Sequence, residues 1–186
     1  MEIIKNLKEF SILKSLFLAI IGTVILAVSA KIKIPFWPVP MTMQTFAVLL
    51  IGVIYGWKLG LFTVSLYLVE GIAGLPVFAG TPEKGIGIVY FTGPTMGYLI
   101  GFLVSVTLAG FFNFSNNFFK NFVKLSFSVS FIYLLGMLWL GLLIGWDKPI
   151  FELGAQPFLL AELFKILLLL FLIPFLSKTK KLMKIT

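Results

Sequence analysis

The sequence contains no cysteine and no histidine, and because it also lacks arginine all 15 of its basic residues are lysine. Without cysteine the chain can form no disulfide and offers no thiol nucleophile. Without histidine it can build no serine–histidine triad and no histidine-ligated metal or haem site. The side-chain groups that remain for binding or chemistry are carboxylates, lysines, hydroxyls and amides. We therefore predict that the chain holds no metal, needs no cofactor and is not an enzyme.

Charged residues of any kind are scarce in this chain. Of its 186 residues, 12% are charged and 60% are hydrophobic, and the mean hydropathy is +1.09. A soluble domain is usually about half apolar and about a quarter charged. The composition predicts one integral membrane domain that comprises residues 1–186. The net charge of +8 is better explained by the bias of lysine toward the cytoplasm than by binding of nucleic acid.

Six apolar segments are separated by polar, proline-rich or glycine-rich breaks. We place transmembrane helices at about 14–30, 42–55, 59–71, 94–112, 122–145 and 157–177. The second and third are shorter than the roughly 20 residues that a helix needs to cross a bilayer. Six spans place both termini on one side, and most lysines lie on that side. The six spans predict an all-α, multi-pass protein of the cell membrane. The positive-inside rule predicts that its N- and C-termini are cytoplasmic.

The stretch from Gly71 to Gly101 is too rich in glycine and proline for a continuous helix, and too apolar for an ordinary exposed loop. Irregular backbone beside membrane segments is tolerated where it packs in protein or lines a polar cavity. We predict that this outer connection between the third and fourth helices forms the lid and wall of a ligand pocket. The other outer connections, at 31–41 and 146–156, are also rich in proline, glycine or aromatic residues, which favours capture of a ligand from outside.

Glu162 and Lys165 are charged residues within the last apolar segment. Their spacing of three places them on one helix face, and charges at this depth are costly and usually functional. They could merely neutralise each other. Alternatively, they could meet a polar ligand that has N–H donors and a carboxylate or carbonyl group. An intramembrane enzyme would have to use these two groups alone as its acid and base.

Further pocket candidates surround the outer connections. Thr42 and Gln44 can donate and accept hydrogen bonds without carrying charge. Lys84 could pair with an anion, or could form a solvated pair with Glu83. Aromatic residues could wall a small-molecule pocket, or could instead form a belt at the membrane interface; these are Phe36, Trp37, Phe78, Tyr90 and Tyr98.

Two helices carry stripes of small residues, which allow helices to approach closely. In the fourth helix the stripe, which we expect to pack internally, consists of Gly93, Gly97, Gly101, Ser105 and Ala109. In the first helix the stripe consists of Ala19, Thr23 and Ala27, and it could pack internally or dock another membrane protein. The chain has no phosphate-binding motif. Uphill transport would therefore draw its energy from a partner or from an ion gradient.

Four segments resemble signature segments of the BioY family, the biotin-specific substrate-binding (S) components of energy-coupling factor (ECF) transporters. They are Pro38–Gly52, Tyr67–Gly80, Phe91–Phe102 and Pro157–Leu167. The chain departs from the family pattern at Glu162, where the family usually has aspartate. It also departs at Met96, where the family often has glycine.

The resemblance implies a six-helix ECF S-component fold that binds biotin near the outer face. It implies that Glu162 and Lys165 contribute to that site. It also implies association with a transmembrane coupling protein and two cytoplasmic ATPases, docked through Ala19, Thr23 and Ala27 on the first helix. The alternative is an S component or a small transporter for another vitamin-like solute.

Overall fold

The computed structural model describes residues 2–35, 37–83, 85–115 and 117–183, with side chains from residue 12 to residue 176. Two short 3₁₀ helices are present in the described residues, Gly87–Thr92 with about two turns and Gln156–Phe158 with about one. The other elements are α1 (Glu2–Lys31), β1 (Lys33–Ile34), β2 (Met41–Thr42), α2 (Gln44–Ile72), α3 (Met96–Phe111), α4 (Phe118–Ile144), α5 (Ile150–Gly154) and α6 (Leu159–Met183). The two short strands pair antiparallel, with Lys33 opposite Thr42 and Ile34 opposite Met41.

The helix α2 is a hairpin of two antiparallel halves, 44–55 and 57–72. The backbone leaves the helical region at Gly56, whose φ of 73° is a conformation that glycine adopts at little cost. A Cβ atom on Gly60 would lie 3.6 Å from the Cα of Gly52, so the chain has reversed between them. At the far end of the hairpin, Gln44 hydrogen-bonds Tyr67. The reversal lies where the sequence predicts a turn between two short apolar helices.

Four apolar helical stretches of the described chain reach the length that crosses a membrane, but one of them, α2, reaches it only as the sum of its two shorter halves. A shorter apolar helix accompanies the four. The four are Ile12–Lys31, Gln44–Ile72, Phe118–Ile144 and Ile150–Leu176, and the shorter one is Met96–Phe111. When the two halves of α2 are counted separately, the bundle has six principal helical segments. The predicted all-α membrane fold is confirmed.

The small-residue stripe of α3 lies inside the bundle, as expected. A Cβ atom on Gly97 would overlap the backbone of Leu135 in α4, and one on Gly101 would lie 2.6 Å from the Cα of Ile132. Ser105 and Ala109, further along the stripe, are fully buried. The absence of side chains at the glycines therefore allows α3 to pack directly on the backbone of α4.

The small-residue stripe of α1 also faces inward in this conformation, and docking of a partner through it stays a prediction. Ala19 and Thr23 are buried and Ala27 is half-buried. Beside them, Gly22 meets Thr63 of α2 with no room for a Cβ atom, and Tyr55 donates a hydrogen bond to the carbonyl of Leu18 at 2.9 Å. In this conformation Ala19 and Thr23 therefore serve the packing of α1 on α2 and are not available to a second protein.

The three elaborate connections of the chain meet at one end of the bundle. We call the connection between α2 and α3, residues 73–95, the lid. Lys31 at the end of α1 hydrogen-bonds Thr81 of the lid. The indole of Trp139 in α4 donates to the carbonyl of Gly93 at 2.9 Å. These contacts therefore tie the lid to the end of α1 and to α4.

Candidate ligand-binding site

A cavity lies under the lid, between the hairpin strands, α2, α3, α4 and α6. Its volume is about 50 Å³, and it is partly open to the surroundings. Most of its walls are apolar or aromatic, with a few polar groups, which is the usual form of a small-molecule site. The lining residues are Val39, Pro40, Met41, Thr42, Gln44, Thr45, Ala79, Tyr90, Thr95, Tyr98, Leu99, Phe102, Ile132, Tyr133, Phe158 and Lys165.

Lys165 supplies the cation of the cavity wall. Its side chain is 7% exposed, and its ammonium group lies 3.4 Å from Oε2 of Glu162. The same nitrogen donates to the backbone carbonyl of Thr42 at 2.7 Å and to Oγ1 of Thr45 at 2.9 Å. An ammonium group has three N–H donors, so these acceptors can engage all of them. The cation is thereby fixed in position at the edge of the cavity.

Glu162 lies behind the cavity wall, since it is not among the described residues that line the cavity. It is 3% exposed, and its Oε2 accepts hydrogen bonds from Thr45 at 2.9 Å and from Tyr133 at 2.8 Å. Its other oxygen, Oε1, is buried and has no hydrogen-bond partner among the described residues. The carboxylate thus orients three groups that do line the cavity, namely Thr45, Tyr133 and Lys165.

A second polar chain runs from the cavity to the lid. Oγ1 of Thr42 accepts from the backbone N–H of Gln44 and donates to its side-chain oxygen, both at 3.3 Å. The amide of Gln44 donates to the hydroxyl of Tyr67 at 2.7 Å. That hydroxyl donates in turn to the carbonyl of Val77 at 3.0 Å. Thr42 and Gln44, both predicted from the sequence, therefore connect the cavity wall with the lid backbone.

The predicted aromatic residues lie in two layers. Tyr90 and Tyr98 line the cavity, and the hydroxyl of Tyr98 donates to the carbonyl of Gly154 at 2.8 Å. Phe78 lies behind Tyr90, stacked on its ring at a centroid distance of 4.7 Å, and meets Tyr67 edge-on at 5.3 Å. Burial raises the pKa of the Tyr90 hydroxyl, so this part of the cavity roof remains uncharged at neutral pH.

Tyr90 and Thr95 separate the cavity from a second apolar opening at the same end of the bundle. Trp37, Leu143 and Ile144 contribute to the walls of that outer opening. A ligand that arrives from this end therefore meets apolar side chains before it meets the polar groups of the cavity.

Two predicted site residues, Phe36 and Lys84, lie outside the described residues. Among the residues that the structure does describe, no group of three carboxylates or other metal-ligating side chains lies together.

Sequence reasoning missed three polar residues of the cavity wall, namely Thr95 and the two side-chain partners of Glu162 from other helices, Thr45 and Tyr133. Thr45 lies in the same turn of α2 as Gln44, so the pattern of hydroxyl and amide residues could have been extended by one position. Tyr133 is one of the few hydrogen-bonding side chains in the apolar core of α4. Neither position has a spacing that pairs it with Glu162 in the sequence, since 117 and 29 residues separate the partners.

Comparisons with known proteins place the chain in a family. The model of the BioY family matches residues 4–182. A protein of Pyrococcus horikoshii named probable biotin transporter BioY is 34% identical over 152 residues, which cover 82% of this chain and 89% of that protein. The biotin transporter BioY2 of Lactococcus lactis is 34% identical over 177 residues, which cover 91% of this chain and 95% of that protein.

A solved structure has the same fold. The crystal structure of the S-component for biotin from an ECF-type ABC transporter matches with a TM-score of 0.76 and 26% sequence identity. The match covers 90% of this chain and 93% of the solved one. Together with the family match over nearly the whole chain, this shows that the chain belongs to the BioY family of membrane transport proteins and is not an enzyme.

Proposed function

We propose that this chain captures biotin in the cavity under the lid and presents it to a partner ECF module for ATP-driven uptake. The observation that carries the proposal is the fixed ammonium group of Lys165 in the wall of an otherwise largely apolar cavity. The proposal agrees with the names of the relatives from Pyrococcus horikoshii and Lactococcus lactis, and with that of the solved S-component.

The chemistry of biotin suits the groups that line the cavity. Its ureido ring offers N–H donors and a carbonyl acceptor, and its side chain ends in a carboxylate. The positive charge of Lys165 attracts an anion, and its ammonium group can donate to the ligand when one of its protein acceptors is released. Thr42, Gln44 and Tyr133 can exchange hydrogen bonds with ureido groups. Tyr98 and other apolar wall residues can cover the ring and the aliphatic chain. In this proposal Glu162 positions Lys165, and Phe78 positions the cavity-lining Tyr90 by stacking on its ring.

A partner is proposed because the sequence has no nucleotide-binding motif of its own. The partner would be an ECF module with a transmembrane coupling protein and cytoplasmic ATPases. Since Ala19 and Thr23 are buried, contact with that module would have to use outward-facing residues of α1 or another helix.

Equilibrium titration of the purified protein with biotin tests the proposal, with thiamine and riboflavin as controls. We expect tight, saturable binding of biotin at one site per chain without ATP, and no binding of the controls. Binding of thiamine or riboflavin in place of biotin would indicate the alternative, an S component for another vitamin-like solute. A folded sample that binds none of the three would contradict the proposal.

A further inference from the structure

The cavity under the lid is narrow although it is partly open, since its volume of about 50 Å³ is well below the ~300–1,000 Å³ of sites that hold drug-sized ligands. A vitamin-sized ligand therefore requires the segments around the cavity, the lid among them, to move. The lid contributes Ala79, Tyr90 and Thr95 to the cavity wall, and the segment 77–81 carries the first of them. Ala79, in its middle, lines the cavity and is 4% exposed. Whatever holds this segment in place therefore contributes to how readily a ligand enters and leaves.

Side chains from two helices hold the segment 77–81 on either side of Ala79. The hydroxyl of Tyr67 in α2 donates to the carbonyl of Val77 at 3.0 Å. Lys31 at the end of α1 donates from its ammonium group to three acceptors, one before Ala79 and two after it. These are the carbonyl of Phe78 at 3.1 Å, the carbonyl of Thr81 at 3.2 Å and Oγ1 of Thr81 at 3.1 Å.

The contacts of Lys31 are those of a cation that binds the lid backbone. Each of its three N–H donors can meet an acceptor, and hydrogen bonds from a charged donor are stronger than neutral ones. The backbone at Phe78 carries the ring that stacks on Tyr90, a residue of the cavity wall. Lys31 itself is exposed and does not line the cavity.

We propose that Lys31 is a positioning residue that latches the lid over the ligand cavity and thereby sets the rate at which the bound ligand leaves. The residue acts through the backbone of Phe78 and Thr81 and does not touch the ligand. Because Lys31 is the last residue of α1, the latch also ties the position of this peripheral helix to the closure of the lid.

The first test follows the release of biotin, so it rests on the proposed function. Lys31→Met keeps most of the side-chain volume and removes the ammonium group. We expect the release rate to rise by about tenfold or more, roughly the effect of losing one charge-assisted hydrogen bond, with a small change in the association rate. Lys31→Arg should restore slow release. Lys33→Met, two residues further on in an exposed position, is the matched control and should release like the wild type.

The second test needs no ligand and uses the absence of natural cysteine. Ala79→Cys places a single thiol beneath the lid, and its rate of modification by a small maleimide reports how often the lid opens. We expect labelling to be several-fold faster when Lys31→Met is added, and unchanged when Lys33→Met is added. Equal labelling rates in all three backgrounds would overturn the latch, whether or not the protein binds biotin. Faster labelling in a protein that binds no biotin would leave the latch intact and contradict the proposed function alone.

Discussion

Lys165 combines two roles at the residue scale, because it faces the cavity and also neutralises a buried carboxylate. Removal of one member of a buried ion pair leaves the other charge unpaired, which is costly for stability. A loss of binding in a single variant could therefore reflect misfolding. The two roles can be separated only if both charges are removed together.

We expect Lys165→Met to weaken biotin binding by at least about 100-fold, which corresponds to roughly 2.7 kcal/mol. The double variant Glu162→Gln/Lys165→Met removes both charges, and should recover much of the thermal stability without recovering affinity. Titration and thermal unfolding of both variants check these expectations. A double variant that binds biotin as tightly as the wild type would show that the ammonium group is not part of the site.

Tyr133→Phe removes the hydrogen bond that this cavity-lining residue donates to the carboxylate behind the wall. The hydroxyl of Tyr133 donates to Oε2 of Glu162 at 2.8 Å, while its ring packs against Phe158. The change removes the hydrogen bond and keeps the ring, so we expect a loss of about 1.5–3 kcal/mol, the range for a hydrogen bond to a charged group. Thermal unfolding in detergent measures it. Unaltered stability and affinity would mean that the carboxylate does not depend on this donor.

The charged pair of the site could be predicted from the sequence, because Glu162 and Lys165 are rare charges in an apolar segment and are separated by one helical turn. The sequence could not predict that Lys165 lines the cavity while Glu162 lies behind its wall. Which of two neighbouring charges faces a cavity depends on the direction of each side chain and on partners from α2 and α4, and no local pattern encodes Thr45 or Tyr133 as those partners.

At the element scale, the lid depends on a close approach between the end of α2 and Phe78. A Cβ atom on Gly71 would overlap the Phe78 ring, which stacks on Tyr90 in the cavity wall. The proline- and glycine-rich composition predicted a lid. It could not show that the lid is fixed by this contact, since the aromatic ring and the glycine come from opposite ends of a turn.

Gly71→Ala should therefore displace Phe78 and with it Tyr90, and we expect biotin affinity to fall by about tenfold or more with a modest loss of thermal stability. Val69→Ala, on the exposed face of the same helix, is the control and should behave like the wild type. Titration of both variants decides the matter. Equal affinities for Gly71→Ala and the control would show that the Phe78 layer does not shape the cavity.

The two small-residue stripes show what pattern alone can establish about an element. Both stripes predicted close helix approach, and in both cases the structure has it. For α3 the predicted neighbour was another helix of the same chain. For α1 the pattern was equally compatible with a second protein, because a stripe of small residues specifies distance and not the identity of the partner.

At the scale of the whole molecule, the number and order of helices followed from hydropathy, and the turn at Gly56 was visible as a glycine between two short apolar segments. The hydrogen bonds inside the bundle did not follow from hydropathy. The hydrogen bond between Lys31 and Thr81 joins positions 50 residues apart, and that between Lys165 and Thr42 joins positions 123 residues apart. Such contacts arise from the packing of the bundle as a whole.

The orientation of the molecule remains a prediction of the positive-inside rule, and single cysteines can test it. We expect Lys148→Cys, in the connection after α4, to react with a membrane-impermeant maleimide added to intact cells. Asn113→Cys, in the exposed turn between α3 and α4, should react only after the cells are opened. The reverse pattern would place both termini outside.

Protection of a cysteine in the cavity by biotin tests the central claim most directly. Met41 lines the cavity under the lid, while Ile34, its partner in the strand pair, is 57% exposed and does not. Labelling of Met41→Cys and of Ile34→Cys by a small thiol reagent would be compared with and without biotin. The account predicts that biotin slows labelling at position 41 and leaves position 34 unchanged. Equal labelling at position 41 with and without saturating biotin would contradict a biotin site in this cavity.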